Sequence, residues 1–369
     1  MNKKILKNMD KKIIVIIFLL IVIGCIALWS ATNQIDGINE LKKQILWAVV
    51  GFAVMIGVSF INYETYERFW PVLYGISIIL LIGVLFTPAI NGAHSWYNLG
   101  FMNFQPSELA KIFVIISLSS LITKITKNDE EGINKLKNLV FVFLLMVPPI
   151  VLIILQPDYG TAMAFIVFTA IMLFISNFKR RYILIAILLV CILLPLLYLF
   201  ILPAHAKARI DVFLNPELDP LGSGYNVIQS KLAIGSGKLF GMGLLKGNQT
   251  QMGYLYPKTT DFIYAVISEE MGFVVAALVI ILSMWLLLRC LHISRTAKDK
   301  LGSLIAIGFF GMFMFYITEN IGMTMGLLPI TGVPLPFVSY GGSSMITNMI
   351  SIGILLNISG QRQKIMILG

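Results

Sequence analysis

Long apolar blocks separated by short polar stretches make up most of this chain. Crossing about 30 Å of hydrocarbon at about 1.5 Å per residue takes a helix of roughly 20 mainly apolar residues. Ten blocks fit, at approximately 13–31, 43–61, 70–88, 107–125, 138–155, 160–177, 182–203, 262–288, 301–325 and 343–359, the sixth and tenth being short. The pattern predicts an all-α polytopic membrane protein of about ten transmembrane helices, forming one membrane domain over 1–369. A single long polar stretch breaks the rhythm. Residues 204–261 read as a large loop rich in Gly, Pro, Asn and charge between the seventh and eighth helices. Within it, Val227, Ile228, Leu232 and Ala233 have helical spacing, which predicts a short amphipathic helix over Tyr225–Ile234 lying at the membrane interface.

Basic residues orient the blocks. Lys3, Lys4, Lys7, Lys11 and Lys12, then Arg68, Lys124 to Lys137, Lys179 to Arg181, Arg289 to Lys300, and Arg362 with Lys364 all fall on one side, whereas the short loops opposite carry only Lys42 and Lys43. Positive charge favours the cytoplasmic side, so both termini are expected there and the 204–261 loop outside. The first block reads as an uncleaved span, because the run is long and Ser30-Ala31-Thr32 is a poor cleavage site.

Composition narrows the function. With 58% hydrophobic and only 12% charged residues, an ordinary soluble domain is excluded. The net charge of +10 reflects topology and contact with anionic membrane lipid, and no motif supports nucleic-acid binding. Cys25, Cys191 and Cys290 fall within spans or at an inner end, so no disulfide framework is expected. The run Gly235, Gly237, Gly241, Gly243 and Gly247 lacks the pattern of a nucleotide-binding loop and reads as close-packed backbone and tight turns.

Against this apolar background a few polar residues stand out. Pro106, Ser107 and Glu108 make a good helix entrance, and Lys111 follows one turn deeper on the same face. Lys111 reads equally as a structural partner of Glu108 and as a cation held for an anionic substrate. Trp96 and Tyr97 are interfacial aromatics by default, with Trp96 a candidate substrate contact. Asp158 either caps the next helix or faces a shared cavity. Asp261 sits where the large loop enters a span. Glu269 and Glu270 lie about 12 Å deeper, by helical rise, and Glu319 in the following span at a similar depth. Since an ionised group in hydrocarbon needs a partner or water, Lys111, Glu269 or Glu270, and Glu319 are expected to converge in the bundle interior. The Pro- and Gly-rich segment 327–345 reads equally as a re-entrant wall and as simple punctuation between two helices.

Taken in order, FQPSELAK at 104–111, QPDYGT at 156–161, DPLGSGYNVIQSKLAIGSG at 219–237, TDFIYAVISEEMG at 260–272 and TGVPLPFVSYGGSS at 331–344 resemble the SEDS family of cell-wall proteins, which includes RodA, FtsW and SpoVE. The third and fifth stretches and NIGMTMG are more similar to the RodA branch. The resemblance implies a peptidoglycan glycosyltransferase serving cell elongation and shape. Such an enzyme polymerises lipid II, a disaccharide-pentapeptide on undecaprenyl pyrophosphate, at the outer face of the bacterial cytoplasmic membrane beside a class B penicillin-binding protein. It implies Asp261 as the essential acid and Trp96, Glu108, Lys111, Asp158, Gln229 and Ser339 as substrate-binding positions. His94-Ser95 replaces the basic residues that precede the tryptophan in the family.

The chemistry suits these residues. Glycan polymerisation needs a base for the attacking hydroxyl, a role for Asp261, and positive charge for the departing pyrophosphate, a role for Lys111 and Arg209 with a divalent ion, Mg or Mn, as a possible companion. A single placed acid points to direct displacement with inversion. Two other functions rank lower: a flippase for the lipid-linked precursor, which needs the same outward polar cavity but also a route through the inner half, where acids are absent, and a non-catalytic scaffold for the penicillin-binding protein, for which buried polar groups are unnecessary.

Overall fold

A computed structural model of the chain describes residues 8–33, 38–89, 92–127, 129, 132–179, 181–182, 188, 200, 207, 211–215, 218–219 and 222–362. Helices dominate: α1 (Lys11–Thr32), α2 (Asn39–Ser59), α3 (Tyr63–Val84), α4 (Pro106–Thr126), α5 (Leu136–Ile154), α6 (Tyr159–Ile175), α7 (Ser223–Ser236), α8 (Asn248–Gln251), α9 (Ile263–Thr296), α10 (Lys300–Thr324) and α11 (Gly342–Gly360). Eight of these are long and apolar enough to cross a membrane, and α6 is a shorter apolar helix. The chain is a polytopic membrane protein, and nine of the predicted blocks coincide with helices to within a few residues, apart from α3, which starts earlier, and α9, which runs on. Most of the seventh block and all of Arg209 lie outside the described residues. The expected amphipathic helix is present as α7.

α10 is the axis of the bundle. It packs against α9, α6 and α4, while α11 lies along α2, α3 along α4 and α1 along α9. Both α10 and α11 are mostly buried, which leaves α2, α3 and α5 to face lipid. Inside hydrocarbon every freed backbone group needs a protein partner. In α5, Pro149 removes the hydrogen bond that Leu145 would accept, and the Tyr74 hydroxyl of α3 donates to that carbonyl instead, at 2.8 Å.

One end of the bundle is latched by charge. Asp10 caps α1 and pairs with Arg289 of α9, Glu64 pairs with Lys298 at 2.8 Å, and the Tyr63 hydroxyl donates to Asp299 at 2.7 Å. Asn357 of α11 accepts from the Tyr63 amide and donates to the Ser59 carbonyl, joining the turn between α2 and α3 to the end of α11.

At the other end, two irregular segments are folded into the bundle. Val333 and residues 335–339 are buried, and the missing side chain of Gly24 lets Val338 lie against α1, where a Cβ would clash with its carbonyl oxygen. The second segment corrects the reading of 262–288 as one continuous helix. Gly272, at φ 76°, ψ 179°, breaks α9 after its first turns. The glycine run fills the break: Met242 and Gly243 donate to the carbonyls of Glu269 and Glu270, and Phe273 and Val274 donate to those of Lys238 and Leu239, at 2.9–3.1 Å. A Cβ on Gly241 would stand 2.1 Å from the Glu270 carbonyl oxygen, so this approach requires glycine.

Candidate functional site

Polar side chains gather beneath the end opposite the latches. Pro106 opens α4 and Glu108 sits in its first turn, where the helix dipole favours an acid. Lys111, five residues in, is about 8 Å further along the axis. Glu108 and Lys111 are each only 2% exposed and pair at 2.7 Å. The Lys111 ammonium also lies 3.9 Å from the centre of the Tyr316 ring, and Thr347 of α11 donates to the second Glu108 oxygen at 3.1 Å. The pairing reading of Lys111 is therefore realised, with α10 and α11 closing around it.

Asp158 takes the capping role of the two open to it. It accepts from the Thr161 amide at 3.1 Å as the cap of α6, and from the Gln105 side chain at 3.0 Å. Gln105 in turn donates its backbone N–H to Ser343, which ties α4, α6 and α11 together at this level. Burial pushes the Asp158 carboxyl above its ordinary range, against the pull of the Thr161 hydrogen bonds.

Asp261 is half-buried at the head of α9 and is positioned through its backbone. The Asn320 amide donates to the Asp261 carbonyl at 3.0 Å and to that of Val333 at 2.8 Å. Ser339 donates to the Thr260 carbonyl at 2.6 Å and accepts from the Leu335 amide, so its hydroxyl holds the acid's neighbour in place. On the other side, a Cβ built on Gly332 would stand 3.4 Å from Asp261 Oδ2. Next to that glycine, Thr331 donates to Glu319 at 2.9 Å.

These contacts share one wall. Tyr316, Glu319 and Asn320 follow at i, i+3 and i+4 on α10, so they occupy one face. Tyr316 covers Lys111 and Asn320 holds Asp261, roughly 6 Å apart along the helix.

Glu269 and Glu270 do not join Lys111 and Glu319, contrary to the expected convergence. Glu269 accepts from the amides of Gln249 and Thr250 and from the Thr250 hydroxyl, while Glu270 accepts from the Gly247 amide and the Gln251 side chain. The break at Gly272 lets the 247–251 turn reach them, and both acids are used to fasten it. Burial pushes the nearby Lys258 ammonium below its ordinary value; its Nζ donates to the Thr250 carbonyl.

Trp96 is half-buried beside the short hairpin Tyr97–Asn98 and Asn103–Phe104, which is anchored by Tyr97 donating to Leu80 and Ser95 donating to Gln156. Gln229 is half-buried on α7, next to Ser230, which donates to the carbonyl of Thr324 at the end of α10. Sequence reasoning passed over Gln105, Thr347, Tyr316 and Asn320. The last two were detectable as polar groups flanking Glu319 in an apolar span.

The family model of FtsW, RodA and SpoVE, described as cell cycle proteins, matches residues 10–364. The chain belongs to this family. Within it, the peptidoglycan glycosyltransferase MrdB of Escherichia coli (strain K12) is 38% identical over 359 residues, covering 97% of this chain and 95% of MrdB. Among solved structures, a chain from a peptidoglycan synthase complex that coordinates polymerization and crosslinking superimposes with a TM-score of 0.82 at 28% identity, covering 95% of this chain and 97% of that one. The rod shape determining protein RodA of Thermus thermophilus gives 0.70 at 25% identity over 96% and 98%. The wall formed by α10 therefore belongs to a RodA-like FtsW/RodA/SpoVE fold.

Proposed function

We propose that this chain is a peptidoglycan glycosyltransferase that polymerises lipid II for cell elongation and shape. The observation that carries the reading is the shared wall of α10, which holds an acid, Asp261, and a buried cation, Lys111, at the end of the bundle away from the basic residues.

In the reaction, the acceptor sugar hydroxyl attacks the anomeric carbon of the donor while Asp261 takes its proton. The carbon–oxygen bond to pyrophosphate breaks, and the leaving group departs with the electron pair toward Lys111 and Arg209. Attack from the face opposite the leaving group inverts that centre. Glu108, Asp158, Gln229, Trp96 and Ser339 complete the binding region, with Ser339 acting by positioning.

A divalent cation fits this site only in company with substrate. Among the described residues no group of three His, Cys, Asp or Glu side chains could hold a metal. A magnesium ion is characteristically bound by one or two carboxylates plus substrate phosphates, and Asp158, on the Lys111 side, would be the carboxylate to hold it. It would supply positive charge to the leaving group.

The basic latched end supports a cytoplasmic side there, and the reading is of about ten spans with both termini inside and the 204–261 loop outside the cytoplasmic membrane. A class B penicillin-binding protein fits as the partner that cross-links the product. A flippase reading is weaker, because the buried acids of the site cluster in one half of the bundle and the other half is closed by ion pairs. Purified protein given labelled lipid II, with and without the penicillin-binding protein, is expected to make glycan polymer; transbilayer movement of lipid II with no polymer would overturn the reading.

A further inference from the structure

The glycine-rich segment 237–247 reads from its sequence as part of an external loop, yet it is bonded to the interior of a spanning helix. Phe273 and Val274 donate to the carbonyls of Lys238 and Leu239, and Met242 and Gly243 return bonds to Glu269 and Glu270. A second span fixes the same height: the Leu245 amide donates to Ser30 Oγ at 2.9 Å, two residues before α1 ends.

Counting along α9 gives the depth. Arg289, paired with Asp10, marks its basic end. The roughly 20 residues needed to cross the hydrocarbon, counted back from Arg289, reach Glu269. Gly272 to Val274 therefore lie within the hydrocarbon layer, together with the backbone bonded to them. Non-helical backbone is tolerated there where it packs against protein, and four backbone hydrogen bonds hold this segment against the broken helix.

What this segment presents outward is apolar. Phe240 is 80% exposed and Leu239 59%, beside Phe273 at 63% and Val274 at 51% on α9 itself. Lys238 and Lys246 flank them, exposed, on stems long enough to lift an ammonium toward lipid phosphate while the backbone stays below. The apolar surface is thus continuous with a helix face that already meets lipid, and its charges match a headgroup layer.

We infer that residues 238–244 form a re-entrant loop inserted into the leaflet on the Asp261 side, with Leu239 and Phe240 among the lipid acyl chains. This inference stands independently of the catalytic reading. It is tested by the environment of a fluorescent label on single cysteines, Phe240→Cys and separately Leu239→Cys, in a chain whose three native cysteines are replaced by alanine, reconstituted in nanodiscs of phosphatidylethanolamine and phosphatidylglycerol. Ile281→Cys, on the lipid-facing side of α9, gives the lipid reference, and Asn98→Cys, on the hairpin beyond α3, gives the water reference. Both loop labels are expected to emit at the wavelength of the Ile281 label and to be quenched several-fold more by doxyl-labelled lipid than by aqueous iodide. Either loop label matching Asn98 in emission and iodide quenching would overturn the inference.

Discussion

At the latched end, acids meet bases from distant parts of the chain: Asp10 meets Arg289, and Glu64 meets Lys298. At the opposite end, Lys111 is buried against Glu108, and hydroxyls and amides supply further partners: Thr347 donates to Glu108, Gln105 to Asp158 and Thr331 to Glu319, while Asn320 holds the main-chain carbonyl of Asp261. Both ends bury charge, which costs several kcal/mol per ion unless it is paired. Matched pairs close the first end and fix helix against helix. At the second end the carboxylates of Asp158 and Glu319 accept from an amide and a hydroxyl, groups that carry no charge, and that arrangement suits a site awaiting charged substrate and a counterion.

The sharpest way to break this comparison is Asp261→Asn. It is expected to lower lipid II polymerisation by about 10²–10⁴-fold, the range for losing a general base, with the melting temperature nearly unchanged. Wild-type turnover would remove the distinction between the ends. Lys111→Met should both stop polymerisation and cost about 3–5 kcal/mol of stability by stranding Glu108. Adding Glu108→Gln should then restore thermal stability in detergent without restoring polymer, whereas recovered activity would make the pair purely structural. At the latched end, Asp10→Asn should cost about 1–3 kcal/mol and leave the turnover of folded protein intact. Lys298→Ala, in a half-exposed pair, should change stability by only about 0–1 kcal/mol.

Legibility followed the range of the interactions. Spans were readable because a length of roughly 20 apolar residues is a local property, and α7 because its apolar spacing lies within one stretch. The pairing of Glu108 with Lys111, three residues apart, was available for the same reason. The destination of Glu269 and Glu270 was not. Nothing in SEEMG signals a helix break, and the donors that fill it come from about 20 residues upstream. Likewise, Ser339 stood out as a polar residue in a Gly-rich turn, but its attachment to Thr260 depends on two segments meeting across α10.

The single primary amide of Asn320 grips two carbonyls from separate segments, one at residue 261 and one at residue 333. It works as a rivet driven through both from one of the two most enclosed helices. The stretch between Gly326 and Thr331 is thereby relieved of registering the acid, and a short insertion there should lengthen the rim without moving the carboxylate from its level.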